Sequence, residues 1–585
     1  MEHRWNLDVL YKSFQDENLV SDLEKLDTQI TSFSNWVKNH INEGRFIDSL
    51  KTYIKFKTEI NNTGIKLYAF GGLASSTNTK DTNAENLLEK LDLMFVKETE
   101  PNVLFTKWLH ENKSQMENLD RELDDFRFYF EEIIRSAEHM LSEKEEIVLA
   151  TMKGTGSNAW TKLQGLLTST LLVDIEDDGE MKKLPLAVVR NMAYDDKKEI
   201  REKAYKAELE SYKKIEDSVA SALNAIKGEV IEEVKLRGYV SALDKTLESS
   251  RMDKETLDAM ISAMQDSLPM FVKYFRKKAT ILGYENGLPF FELFAPLGEA
   301  TGTYTYEEAS SFVVDKFSSF SKELADYAKN AFENSWIDVE PKEGKVGGAF
   351  CYNIRPVKES RILTNFTGSL SDIFTLAHEL GHGYHGYCLD NSHILNTNYP
   401  MPLAETASIF CETIVNNAIL ENADDDMKLK VLESSISDAA QVVVDIYSRY
   451  LFETSVFENR VNGSISVEKL KSLMIEAQKN SYGEGLDPNF MHPYMWLCKG
   501  HYYSAGNNFY NFPYAFGLLF AKGLYAKYLE NKDVFVGKYN ELLKATGCNN
   551  IVDTAKTMGI DVRSKDFWKA SLDLIGKDIE KFLQL

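Results

Sequence analysis

The stretch DRELDDFRFYFEEIIRSAEHMLSEKEEIVLATM, residues 120 to 152, constrains the fold most. Its apolar residues return every three or four positions among strong helix formers, and it contains no proline, so it is predicted to be helical with one buried stripe. Similar runs recur at 197 to 236, 253 to 282, 305 to 334, 425 to 461 and 564 to 583, and the 585 residues include only 12 prolines. Long amphipathic helices must bury their stripes against one another. The predicted fold class is therefore mainly α, a stack of long amphipathic helices.

Strand-like material is sparse. VGGAFCYNI, residues 346 to 354, and RILTNFTG, residues 361 to 368, predict a small β-sheet just ahead of the motif described below. TSTLLVDI (168 to 175) and KKLPLAVV (182 to 189) flank EDDGEM, whose Asp-Gly favours a turn, and predict a separate hairpin. The place where this hairpin gives way to continuous helix suggests an N-terminal helical domain over 1–190 and a catalytic domain over 191–585.

With 67 basic and 90 acidic residues the net charge is -23, which repels phosphate backbones, so no nucleic-acid partner is expected. The N-terminal MEHRWNLDVLYKSF is too charged for a secretory signal, and no stretch approaches the ~20 apolar residues of a membrane span. A soluble, cytoplasmic protein without a membrane partner is expected. The five cysteines are odd in number, widely spaced and never in a CxxC pair, and are expected to be reduced thiols.

The chemistry is concentrated in TLAHELGHGYHGY, residues 375 to 387. On a helix, His378 and His382 lie one turn apart on one face and can converge on one ion. Glu379 sits about 100° round the helix, placed to address a metal-bound water without being a ligand. With 10 histidines and 90 acidic residues, such a pattern arises by chance only about 0.03 times per chain. Gly381 and Gly383 each cost a helix interior about 1 kcal/mol and are best explained by close approach of another element.

A catalytic zinc needs three protein ligands and an open position. The H-E-x-x-H-x-x-G-x-x-H pattern fails, because His385 stands where its Gly belongs and Cys388 where its third His belongs. PLAETASIFCETIVNNAILE, residues 402 to 421, reads as a helix with Glu405, Ser408 and Glu412 on one side. Glu405 is the preferred third donor and Glu412 a hydrogen-bond partner for a ligand imidazole. Asp390, His385 and His393 are weaker candidates as ligands, and His385 is also a candidate substrate contact. Gly347, Gly348 and Ala349 fit either an edge strand whose backbone pairs with an extended peptide or an ordinary tight turn.

These residues resemble the M3 family of zinc metallopeptidases, in particular the oligoendopeptidase F branch of the thimet oligopeptidase group. The resemblance is carried by RWNLDVLYKSF, LRGYVSALDKTLESSRM, VGGAFCYNI, ILTNFTGSLSDIFTLAHELGHGYH, PLAETASIFCE and FYNFPYAFGLLFAKGLY. It implies one Zn²⁺ per chain on His378, His382 and Glu405, with Glu379 as general base and acid toward a zinc-bound water. It further implies a multi-helix shell with a deep central channel, a helical N-terminal domain, action on short peptides at internal bonds, and His501, Tyr510 and Tyr514 facing the scissile bond. The sequence departs from the family at Glu292, where Asp is usual, and in the spacing from His501 to Tyr510. A zinc carboxypeptidase or dipeptidyl carboxypeptidase is the alternative enzyme. A non-catalytic helical scaffold with a structural zinc is the alternative of another class. Oligomeric state and cleavage preference are not legible in the sequence.

Overall fold

Helices begin where a cap satisfies their first N–H groups. Asp16 accepts from the backbone N–H of Asn18 and opens the helix Glu17–His40, whose Leu19, Leu23, Leu26, Ile30, Phe33 and Val37 are buried at three- and four-residue spacing. The helices Phe46–Thr77, Thr82–Val96, Thr99–Glu111 and Arg127–Glu138 follow. Their apolar faces meet in one core that includes Phe33, Leu67, Leu91, Phe105 and Phe130. The computed structural model describes residues 3–177, 179–298 and 303–585. It is 72% helical, against about one third in an average globular protein.

The chain divides into two compact units, each built from three stretches. Met1–His139, Gly302–Ile419 and Lys527–Ile560 form the first, and Met140–Thr301, Leu420–Ala526 and Asp561–Leu585 the second. Residue 190 lies inside the second unit. The opening run, 120 to 152, is two α-helices, Arg127–Glu138 and Glu143–Thr155. Ser142 breaks it by forming a capping box with Glu145, so the local cap outweighs the continuous apolar pattern.

In the first unit a three-stranded sheet has the order Ile337–Asp338, Glu359–Leu363, Phe350–Ile354. The middle strand pairs parallel with the first and antiparallel with the last, Phe350 opposite Leu363 and Ile354 opposite Glu359. Phe350–Ile354 is thus an edge strand, and it starts four residues later than the sequence suggests because Gly348 bends the chain at φ +78°. The helix Leu370–Leu389 lies against this sheet, with Asn353 donating its Nδ2–H to the carbonyl of His382. Its start is fixed twice. Ser369 and Asp372 form a capping box, and Gly368 has φ +92° with space for a Cβ removed by the Tyr304 carbonyl, 2.7 Å away.

The second unit stacks the helices Lys198–Tyr212, Glu216–Leu236, Lys254–Ile281, Ile446–Arg460, Val467–Tyr482 and Lys565–Gln584. Its interior holds paired charges, Lys227 with Glu453 at 2.7 Å and Lys278 with Glu433 at 2.6 Å. The hairpin is present as strands Leu172–Asp177 and Glu180–Pro185, closer to the turn than the sequence suggests. The helix Ser157–Thr170 and the short helix Leu186–Asn191 take the residues on either side. Of the expected Asp-Gly turn, Gly179 has φ +81°, while Asp178 lies outside the described residues. Among the described residues no helix is long and apolar enough to cross a membrane, and all five cysteines are free.

Candidate active site

The spacing H-E-x-x-H places both imidazoles on one face of Leu370–Leu389, their ring centroids 4.9 Å apart. Glu405 reaches them from the junction between the short turn Met401–Ala404 and the helix Thr406–Asn422. Its Oε2 lies 3.3 Å from Nε2 of His378 and 3.4 Å from Nε2 of His382. Among the described residues these three form the one cluster of His, Cys, Asp or Glu able to hold a metal ion, with donor atoms all within 4.8 Å of one another. Their side chains retain 27%, 20% and 26% exposure for His378, His382 and Glu405, so the group is not sealed from solvent.

Close helix contact makes this geometry. A Cβ on Gly381 would stand 2.6 Å from both the carbonyl oxygen of Ala407 and the Cα of Ser408, and one on Gly383 would stand 2.0 Å from the hydroxyl of Tyr327. The two glycines thus let a second helix and a tyrosine reach the metal-site helix, as their cost in the sequence suggested. The donors are also oriented. Ser408 donates its hydroxyl to Glu405 Oε2 at 2.7 Å, and His378 Nδ1 lies 3.3 Å from Glu412 Oε2.

The carboxylates split by environment. Burial is the largest influence on Glu405 and would raise its pKa, but the hydrogen bond and charges of His378 and His382 outweigh it and bring it down to about 2. Burial likewise opposes protonation of His378, yet Glu405 and Glu412 together push its pKa up to about 10. Burial takes His382 down to about 4. The two carboxylates thus favour a proton on His378, while burial favours the neutral ring of His382. Glu379 is buried with its Oε2 unpartnered, and burial pushes its carboxyl up to about 7 against the pull of His378. A carboxyl poised near neutrality suits proton transfer in both directions.

The remaining expected residues are placed as follows. His385 has no exposed surface; it bonds Thr546 Oγ1 at 2.9 Å and stacks on Tyr399 at 4.2 Å, which is a packing position out of reach of a substrate. His393 bonds Thr58 at 3.1 Å, and Asp390 lies 3.6 Å from Arg355; neither belongs to the donor cluster. Gly347, Gly348 and Ala349 form the bend that leads into the edge strand, with the Gly348 carbonyl accepting from Asn365 at 2.8 Å. Glu292 is fully buried and held by Arg201 at 2.6 Å and Tyr284 at 2.7 Å, a structural position.

His501, Tyr510 and Tyr514 belong to the second unit. The rings of His501 and Tyr510 are 5.0 Å apart and those of Tyr510 and Tyr514 5.9 Å apart, so the three form one cluster. It sits on the 3₁₀ turn Gly500–Tyr503, a loop where Phe509 has φ +52° and the first turn of the helix Phe512–Glu530. Asn511 holds it: its Oδ1 lies 2.8 Å from His501 Nδ1 and accepts from Arg449 at 3.1 Å. Asn353 and Asn511, which steady the two clusters, carry no periodicity or motif that would single them out in the sequence.

Residues 191–574 match the model of peptidase family M3, and residues 110–171 match that of oligopeptidase F. An oligoendopeptidase F homolog of Lactococcus lactis subsp. lactis is 26% identical, the match covering 99% of this chain and 97% of the relative. One of Borreliella burgdorferi is 27% identical over 96% of this chain and 94% of its own length. The fold is shared with a crystal structure from Chlamydophila abortus (TM-score 0.85, 21% identity, covering 100% and 98% of the two chains). It is shared also with oligoendopeptidase-F from Enterococcus faecium (TM-score 0.71, 19% identity, 97% and 98%).

Proposed function

The chain belongs to peptidase family M3 and is a metalloendopeptidase, and on that premise we propose that it is a zinc enzyme that cuts internal bonds of short oligopeptides. The observation that carries this reading is the meeting of His378 and His382 on one helix with Glu405 from the junction ahead of another, partly exposed and beside a buried Glu379. Two imidazoles and one carboxylate suit zinc, and three protein donors leave a coordination position for chemistry. When bound, zinc supplies a Lewis acid that acidifies water and polarises a carbonyl.

The chain's own residues do the rest. Glu412 fixes the ring of His378 from its far nitrogen, and Ser408 fixes the Glu405 carboxylate. Glu379 takes a proton from the attacking water and returns it to the leaving amine, a task that its raised pKa fits. Tyr510 and Tyr514 are the hydrogen-bond donors for the charge that develops on the carbonyl oxygen, with His501 beside them. The edge strand Phe350–Ile354, entered through Gly347–Ala349, offers unpaired backbone groups to an extended peptide. Zinc, these roles and the length limit are tested together by digesting a mixed peptide library with and without chelator and reading products by mass spectrometry. Internal cuts in end-blocked short peptides, lost on chelation and restored by zinc, are expected. Cuts confined to free C-termini would reassign the enzyme as a carboxypeptidase.

A further inference from the structure

A cavity of about 310 Å³, apart from the metal cluster, lies wholly within the second unit. Its walls are aromatic, with Phe275, Phe290, Phe291, Phe294, Tyr205 and Tyr482. The size is at the lower end of the range of small-molecule sites. One wall is the π-helical turn Gln441–Asp445, inserted between the helices Asp425–Ala440 and Ile446–Arg460. Such a turn interrupts regular packing and is frequent at functional sites.

Four cations line this aromatic space. Arg190 pairs with Glu208 at 3.2 Å, Arg201 with Glu292 at 2.6 Å, and Arg449 with Asp445. Lys499 is left over: its ammonium has no hydrogen-bond or ion-pair partner among the described residues, and it is half-buried. Burial first, and the neighbouring Arg449 and Arg190 in addition, lower its pKa, and the opposing pull of Asp445 and Cys498 does not make up for them. His492 is 2% exposed and neither of its ring nitrogens has a hydrogen-bond partner, the nearest carboxylate oxygen being 3.5 Å away on Glu208. Nε of Arg449 is likewise buried and unpaired. Unsatisfied buried donors are costly, and here they collect around one aromatic cavity with one cation to spare.

We propose that this cavity binds a small organic anion with an aromatic body, its carboxylate received by Lys499 with His492 as a second donor. The position matters because Arg449 and His501 share the Oδ1 of Asn511. A ligand that draws Arg449 toward the cavity competes for the side chain that holds His501.

The probe is N-acetyl-L-phenylalanine, titrated calorimetrically into the full-length chain with zinc and after chelation. Binding is expected in both forms, and the neutral N-acetyl-L-phenylalaninamide is expected to bind at least about tenfold more weakly. Lys499→Met should weaken the acid by about tenfold or more with a melting temperature that does not fall, and Lys499→Arg should retain it. A Gly-Gly-Phe arm assigns the source: tighter binding than the acid identifies a peptide C-terminus, weaker binding a free aryl acid. Saturating acid should shift kcat or KM of the wild type and leave Lys499→Met unmoved. Equal binding of amide and acid, indifference to Lys499→Met, or loss of binding on chelation overturns the proposal; the last would assign the acid to the metal group. The chelated arm does not depend on peptide cleavage, so this proposal and the peptidase reading can fail separately.

Discussion

The two clusters of candidate site residues are built by opposite means. In the first unit, His378 and His382 stand on one regular helix and Glu405 at the junction just ahead of a second, their close approach set by Gly381, and His378 and Glu405 are each held by a side chain, Glu412 and Ser408. In the second unit, His501, Tyr510 and Tyr514 stand on a 3₁₀ turn, a loop with one residue at positive φ and the first turn of a helix, tied in by Asn511 and Arg449. Regular backbone gives a donor set a fixed spacing, which suits a metal that tolerates little error in ligand position. The irregular backbone under His501 and Tyr510 relies on side-chain hydrogen bonds to keep the rings in place.

That contrast can be broken most directly by chemistry that spares the metal. Glu379→Gln is expected to lower cleavage of an end-blocked quenched peptide by about 10²–10⁴-fold while zinc content by atomic absorption stays at one per chain. Loss of zinc together with activity would make Glu379 part of the donor set. Tyr510→Phe and Tyr514→Phe should each reduce kcat by up to about 10²–10³-fold with unaltered zinc affinity, and a change in KM alone would move them from charge stabilisation to binding. In the first unit the effect should appear in the metal instead: Glu412→Gln is expected to weaken zinc binding by about 10–100-fold in a competitive chelator titration.

Stability distinguishes the units more gently. Gly381→Ala drives a Cβ into the backbone of Ala407 and Ser408 and should cost about 1–3 kcal/mol in denaturant unfolding. Gly165→Ala, in the helix Ser157–Thr170 of the second unit, meets nothing within 4 Å and should gain up to about 1 kcal/mol. The smallest effect is expected with pH. Burial would raise the pKa of Glu233, but Lys153 at 2.7 Å and Arg237 at 2.8 Å lower it below the ordinary carboxylate value. Its stabilisation is therefore complete above the unfolded pKa of about 4.3 and fades as pH falls through the lower folded value. Glu233→Gln should flatten that acid limb of the melting profile, and an unchanged limb would remove Glu233 as its source.

How far these features can be read in advance follows the same division. His378, Glu379, His382 and Glu405 are legible because helix periodicity converts sequence spacing into a face, and a glycine pair signals the neighbour that supplies the third donor. Glu412 is legible for the same reason, seven residues on along one helix. Tyr510 and Tyr514 have no such rule, since an aromatic run such as FYNFPYAFGLLF reads equally well as core; only resemblance singles them out. His385 shows the limit of spacing: it follows His382 by three residues, yet its ring turns into the interior against Tyr399 and Thr546.

By itself the sequence determined the helical class, the small sheet ahead of the metal-site helix and the ligand motif, because these depend on interactions within a few turns of one chain segment. The tertiary structure decided which stretches make each unit, three for each, and that the run from 120 to 152 is cut at Ser142. It also decided that Lys499 lacks a partner among the described residues while Arg190, Arg201 and Arg449 each have one. Those outcomes depend on contacts between residues far apart in the chain, where burial and pairing depend on which surfaces meet.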